Sequence, residues 1–129
     1  RDREEDLCDD KASINKVLAD DIGAIQTETY MMTHTTNPLI SAATIGNALS
    51  AHNDAVSPGK HDGLFMMNRL QTRFCREDAT PVNQNPDNLV TTEDLGPWFE
   101  ESSNLYIFNR GFFAATGARI APSCSKRRE

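Results

Sequence analysis

Two groups of residues carry side chains that could do chemistry, and Tyr30 and His34 form the first. They lie four positions apart, so one face of a helix would present a phenolate and an imidazole together. Such a pair could ligate haem iron, with Met31 and Met32 supplying a soft apolar wall. The structural alternative, which the sequence favours, is an aromatic residue at a helix end and a surface histidine stabilised by the helix dipole.

The Tyr30-x-x-x-His34 spacing resembles that of small secreted mycobacterial haem carriers, which are helical and contain a disulfide. The resemblance covers Tyr30, His34, Asn37 and the placement of Cys8 and Cys75. It implies a helical carrier that binds haem. It extends to no other part of the chain, whose composition differs, and we assign no family from it.

His52, His61 and Asp62 form the second group. Two imidazoles and a carboxylate are suitable ligands for a divalent metal with open positions. Alternatively, His52 or His61 could act as the general base of a small hydrolase, with Asp62 as the acid that orients it. Its nucleophile would be one of three residues, none of which lies in a recognisable motif: Ser50, Ser57 or Cys75. The favoured interpretation is structural, with Asp62 as a helix cap and His52 at a helix end.

Aromatic side chains are concentrated late in the chain, where seven of the nine lie at or after residue 74. The favoured interpretation is a core layer that covers the helices, because a small domain needs that buried area. The alternative is an exposed binding surface, since Trp, Tyr and Arg concentrate binding energy at protein interfaces. Its predicted anchors are Trp98, Phe99, Tyr106 and Arg110.

The three cysteines are far apart and show neither a C-x-x-C pair nor zinc-like spacing. In a secreted protein we expect Cys8 to pair with Cys75 in a disulfide, leaving Cys124 over. Three reduced thiols in a cytosolic protein are about equally compatible with the sequence. The chain has no initiator Met and no apolar leader, so we expect a processed product or a fragment, and we favour an extracytoplasmic location.

The chain has 129 residues and a net charge of -6, from 13 basic and 19 acidic side chains. Its length indicates a single globular domain over 9–124, preceded by an acidic, mobile segment (1–8) and followed by a basic tail (125–129). The acidic balance repels phosphate backbones, so nucleic-acid binding is not expected. No apolar run approaches the roughly 18 residues that a membrane span requires.

The elements that would position these residues are predicted to be helices. Apolar residues recur at helical spacing from Asp9 or Asp10 to about Thr33, and again after Pro38 to about Asn53. The turn Ser57-Pro58-Gly59 follows, and Asp62 is placed to cap a third helix over Leu64, Met67 and Leu70. The pattern predicts a mainly α fold, a small bundle of three to five helices.

Residues 77–88 are predicted to be a loop, followed by a short helical turn at Thr91–Asp94 and another after Pro97. Residues 104–120 fit two structures, of which the helix is slightly favoured because the rest of the chain is predicted to be helical. They could form a β-hairpin with Gly111 in its turn, or a last helix that ends at Gly117.

Three functions follow, in order of preference. The first is a non-enzymatic protein-interaction or structural module that uses the aromatic C-terminal face to bind another protein or a second copy. The second is a haem or metal carrier through Tyr30/His34 or His52/His61, and the third is the hydrolase.

Overall fold

The computed structural model describes residues 2, 4–9, 11–56 and 61–120, and the backbone of 125–128. These residues form three helices and four strands: α1 (Ile14–Ala24), β1 (Thr29–Thr33), α2 (Ala42–Val56), β2 (Gly63–Leu70), β3 (Trp98–Asn109), α3 (Arg110–Thr116) and β4 (Ser125–Arg128). Two short 3-10 helices, Glu5–Leu7 and Thr92–Asp94, lie between them. None of the described helices is both long and apolar enough to cross a membrane.

The strands form one sheet in the order β1-β3-β2-β4. β3 is antiparallel to both of its neighbours, β1 and β2, whereas β4 runs parallel to β2. β1 pairs only with residues 105–109 of β3, so the part of β3 that begins at Trp98 pairs with β2 alone. The sheet therefore tapers at one end into a two-stranded ribbon.

The centre of the sheet is covered by helices on both faces. On one face, α2 packs Ala48 against a cluster that includes Leu64, Met66, Leu105 and Ile107. On the other face, α1 and α3 cover a second cluster: Leu18, Ile22, Phe65, Met67, Tyr106, Phe108 and Phe113. Because both faces are buried, β2 and β3 each contain four consecutive apolar residues, 64–67 and 105–108.

The mainly α bundle of three to five helices predicted from the sequence is wrong, because the fold is α+β. The helix predicted to start at Asp62 is the strand β2, in which alternate residues face opposite helices. The first predicted helix ends at Ala24, and its expected continuation to Thr33 is β1. The helical turn predicted after Pro97 is the start of β3.

The helices also begin later than the sequence predicts. α1 is capped by Ser13, whose hydroxyl oxygen accepts from the backbone N–H of Asn15 at 3.4 Å. The helix start predicted at Asp9 is therefore wrong, and Asp10 lies outside the described residues. α2 begins at Ala42 rather than Pro38, after Ser41, whose hydroxyl oxygen accepts from the N–H of Thr44 at 3.1 Å.

The predicted Cys8–Cys75 disulfide is wrong as well. Both thiols are exposed, and neither forms a disulfide. Cys75 follows β2 in the connection to β3, and Cys8 precedes α1. Cys124 lies outside the described residues.

Residues 104–120 contain features of both structures that the sequence allowed. They hold the end of β3 and the whole of α3, which stops at Gly117 as predicted. Gly117 has a φ of 65° and donates its N–H to the carbonyl oxygen of Phe113 at 2.7 Å. This left-handed residue ends the helix because glycine has no Cβ to oppose that conformation.

Gly117→Ala is expected to lower the free energy of unfolding by about 1 kcal/mol, because alanine at a positive φ is strained. Gly111→Ala is the matched control: this glycine lies inside α3, and nothing within 4 Å would meet its Cβ. We expect that control to be stabilising by about 0.5–1 kcal/mol. Urea unfolding of the two variants measures both effects, and the same sign for both would contradict the assignment of the helix end.

Candidate functional site

Trp98 and Phe99 lie where the sheet tapers into its two-stranded ribbon, paired with Leu70 and Arg69 of β2. Their side chains remain exposed, Trp98 by 46% and Phe99 by 38%. As neighbours on a strand they project to opposite faces of the ribbon. The sequence predicted one surface for these two anchors, but the strand places their side chains on opposite faces.

Trp98 makes its aromatic contact with Phe74, in the connection between β2 and β3. The two ring centroids are 5.5 Å apart and the rings are tilted by 41°. Tilted aromatic pairs of this kind contribute about 0.5–1.5 kcal/mol beyond the area they bury. We call Phe74 and Trp98 together the Trp98 platform.

The connection that carries Phe74 is held in place by side chains bonded to its backbone. Asn83 accepts the N–H of Phe74 at 2.7 Å through Oδ1 and donates from Nδ2 to the carbonyl oxygen of Thr72 at 2.8 Å. Val82 donates its N–H to the carbonyl oxygen of Phe74 at 2.9 Å. Both backbone groups of Phe74 are thus satisfied, which holds its backbone beside Trp98.

Two further side chains tie the distal part of the connection to the end of β2. Gln71 donates from Nε2 to the carbonyl oxygen of Glu93 at 2.6 Å. Arg73 donates to the carbonyl oxygen of Val90 at 2.7 Å and to the hydroxyl of Thr92 at 3.0 Å. Long connections of this size are usually either functional or disordered, and this one is ordered.

The chain matches no protein-family model. No curated protein matches it. Its function is therefore inferred from the placement of its own side chains.

Tyr106, a predicted surface anchor, lies in the core and is completely buried. Its hydroxyl donates to Oε1 of Glu101 at 2.6 Å, and the guanidinium carbon of Arg119 lies 4.5 Å from its ring centroid. Burial, and then the hydrogen bond to Glu101, raise the pKa of the Tyr106 phenol above its ordinary value. The phenol stays protonated and anchors the core, so it is not available to a partner.

Arg110, the fourth predicted anchor, lies at the opposite end of β3 from Trp98. It starts α3, and its backbone N–H donates to the carbonyl oxygen of Glu28 at 2.9 Å. Its guanidinium Nη1 lies 3.5 Å from the hydroxyl oxygen of Tyr30. The four residues predicted as one interaction surface therefore occupy three places in the fold.

Tyr30 and His34 do line a common groove, although on a strand rather than a helix. Tyr30 lies in β1 and His34 just after it, four positions further on, and an even spacing along an extended chain puts both on the same side. The hydroxyl of Tyr30 bonds to the carbonyl oxygens of Ile25 and Ile22, the latter at 3.4 Å. The phenol is thus engaged by the end of α1.

His52, His61 and Asp62 do not assemble into a metal site: the described residues contain no group of three or more His, Cys, Asp or Glu side chains that could hold an ion. His52 is a residue of α2, and its side chain is buried. Asp62 precedes β2, where its carbonyl oxygen accepts from the N–H of Asn109 at 3.3 Å, so its predicted role as a helix cap is wrong.

Burial lowers the pKa of the His52 imidazole below its ordinary value, and the side chain of Asn53 opposes this in part. Within the part of the chain that the structure describes, neither ring nitrogen has a hydrogen-bond partner at bonding geometry. No described carboxylate therefore orients His52 as a general base.

The groove beside β1 was not predicted from the sequence. It has a volume of about 480 Å³ and lies between α1 and β1, with mainly apolar lining and the polar side chains of Asp21 and His34. The apolar residues of both elements were assigned to a single helix, so the space between them was not foreseen. Threonines at both ends of β1 are the signal that favours a strand there.

Proposed function

We propose that this chain is a protein-interaction module that binds another protein through the Trp98 platform. The observation that carries the proposal is a tryptophan that is 46% exposed and yet packed against the ring of Phe74 in an ordered connection. Tryptophan is among the residues that most often dominate the binding energy of protein interfaces. An exposed indole is therefore the strongest anchor that this ribbon offers.

The order of the connection supports the same function. Asn83 hydrogen-bonds to the backbone on either side of Phe74, and Arg73 donates to the carbonyl oxygen of Val90. The platform is therefore ordered before a partner binds. Ordering side chains on binding costs about 0.5–1.5 kcal/mol for each one immobilised, and a surface that is already ordered avoids much of that cost. These hydrogen bonds lie outside the two core clusters and are best explained by the surface they stabilise.

Trp98→Ala is expected to weaken binding of a cognate protein by about thirtyfold, because truncation of a dominant anchor costs about 2 kcal/mol or more. A partner is first captured from the native source by cross-linking to the intact chain and identified by mass spectrometry. The dissociation constant of the purified pair is then measured by calorimetry. Sedimentation of the chain alone tests whether the partner is a second copy.

Phe99→Ala is the matched control, because Phe99 is the next residue on the same strand and faces the other side of the ribbon. We expect it to change the dissociation constant by less than about threefold, since its side chain lies on the face away from the Trp98 platform. Equal affinities for the wild-type chain and Trp98→Ala, with the fold intact by circular dichroism, would contradict the proposal.

A further inference from the structure

β1 is an edge strand whose outer side is open in the sheet. The carbonyl oxygen of Glu28 accepts the N–H of Arg110, and hydrogen-bonded pairs alternate along an antiparallel ladder. The even-numbered residues of β1 therefore point their backbone groups to β3. Thr29, Met31 and Thr33 point their N–H and C=O groups outward, and no described strand pairs with that side.

This edge has none of the features that usually prevent another strand from adding to it. The five residues of β1 include no charged side chain, no proline and no glycine, and their register with β3 runs without a bulge. Natural proteins commonly protect exposed edges with charges, prolines or bulges. An edge left in this state is suited to pair with an extended backbone.

The groove beside this edge would receive the side chains of the added strand. Its volume is about 480 Å³, and it runs between α1 and β1. Large apolar side chains along it remain in contact with solvent, including Ile25 at 60% exposure and Met31 at 43%. An extended segment places every second side chain on one face, so apolar residues at alternate positions would enter the groove.

The net charge of the chain limits which partner could occupy the groove. That charge is -6. A second copy of the chain could supply a strand, but it would bring another acidic α1 and another charge of -6 to the same contact. A segment that carries Lys or Arg beside its apolar residues is complementary in charge.

We propose that β1 and α1 form a binding site for an extended peptide segment of another protein, with alternating apolar residues and a basic residue, which adds to the sheet beside β1. The outward backbone groups of Thr29, Met31 and Thr33 hold its main chain. The groove selects its apolar side chains, and the net negative charge of the chain favours its basic residue. This site lies at the other end of β3 from Trp98 and does not depend on the function proposed for that platform.

The probe is a phage-displayed library of random peptides, selected on the full chain at low salt. We expect selected peptides to show apolar residues at alternate positions with at least one Lys or Arg. A synthetic copy should slow hydrogen exchange at the amides of Thr29, Met31 and Thr33. The dissociation constant should rise as salt is added, because salt screens the attraction between a basic peptide and a chain with a net charge of -6.

Met31→Pro is the decisive variant, because it removes an outward N–H and leaves every hydrogen bond to β3 in place. We expect it to raise the dissociation constant of the selected peptide about tenfold or more. Met31→Val, which keeps the N–H on a residue suited to strands, should change it less than about threefold. Should Met31→Pro fail to fold by circular dichroism, Thr33→Pro at the end of β1 makes the same test.

Three results would overturn the proposal. One is a selected peptide that binds a folded proline variant as tightly as the wild-type chain. Another is a selection that yields no peptide sensitive to these variants. The third is sedimentation of the chain alone as a dimer that Met31→Pro dissociates, which would assign the edge to a second copy.

Discussion

Ile107→Ala is expected to lower the free energy of unfolding by about 2–5 kcal/mol, the range for truncating a buried isoleucine. Ile107 is completely buried on the face of β3 that α2 covers, in the cluster with Leu64 and Leu105. The alanine removes apolar surface from the centre of the sheet and leaves a cavity that the rigid strands fill only partly. Urea unfolding, followed by far-UV circular dichroism, measures the loss.

Leu39→Ala is the control for Ile107→Ala, since Leu39 is a large apolar residue that is 90% exposed. We expect it to change stability by less than about 0.5 kcal/mol. The comparison also separates the strand from the helix that the sequence allowed over 104–120. That helix would turn Leu105, Phe108 and Phe112 inward and leave Ile107 outside, so a loss below about 1 kcal/mol would contradict β3.

Periodicity failed at the two central strands for a physical reason. A strand buried on both faces is apolar at successive positions, as at 64–67 and 105–108, so it lacks the alternation that identifies a half-buried strand. Short apolar runs of this kind are also compatible with a helix, and Leu64, Met67 and Leu70 happen to repeat at its spacing. Deciding between them requires knowing that helices lie on both sides.

Local signals predicted the parts of the fold that local chemistry determines. Most of α2 and the helical turn at Thr92–Asp94 are confirmed, and so is the helix end at Gly117. Each depends on residues close in sequence, such as the small apolar face of α2 or the glycine that tolerates a positive φ. The predicted turn at Ser57-Pro58-Gly59 lies outside the described residues.

The candidate surfaces depend on topology, which local patterns do not reveal. Residue type predicted Trp98 as an anchor, and Trp98 is exposed. The same argument predicted Tyr106 as an anchor, but Tyr106 is buried. It pairs with Phe65 on one side and Met32 on the other, at the centre of the sheet. Whether β1 is an edge or a central strand depends on the partners of β3, which are distant in sequence. No pattern within residues 29–33 could have revealed that open edge.

The two proposed surfaces lie at opposite ends of one strand. β3 has twelve residues, with Trp98 at its start and the partners of β1 at its end. At about 3.3 Å for each residue, they are separated by roughly 30 Å along the sheet. Two partners could therefore occupy them together without sharing a contact, which suits a module that brings proteins together.

His52→Leu is expected to raise the free energy of unfolding by about 1–3 kcal/mol, because it replaces a buried imidazole with an apolar side chain of similar size. His52 is only 2% exposed, and neither ring nitrogen has a hydrogen-bond partner among the described residues. Burial in the folded state holds the pKa of His52 below its ordinary value of 6.5, so the folded chain keeps the ring neutral.

The gain from His52→Leu should depend on pH. As the pH falls below about 6.5, the unfolded wild-type chain takes up a proton at this ring before the folded chain does, so its free energy of unfolding decreases until the lowered pKa is reached. Above about pH 6.5 both states are neutral, and this loss is absent. Urea unfolding at about pH 7.5 and about pH 5.5 should therefore show a larger advantage for His52→Leu at the lower pH.

His34→Gln is the matched control, because it removes a histidine from the groove beside β1 and leaves His52 in place. It should keep the acid-dependent loss of the wild-type chain. If His52→Leu proves less stable than wild type at both pH values, the imidazole makes hydrogen bonds that stabilise the fold, and the assignment of an unpartnered ring beneath α2 is wrong.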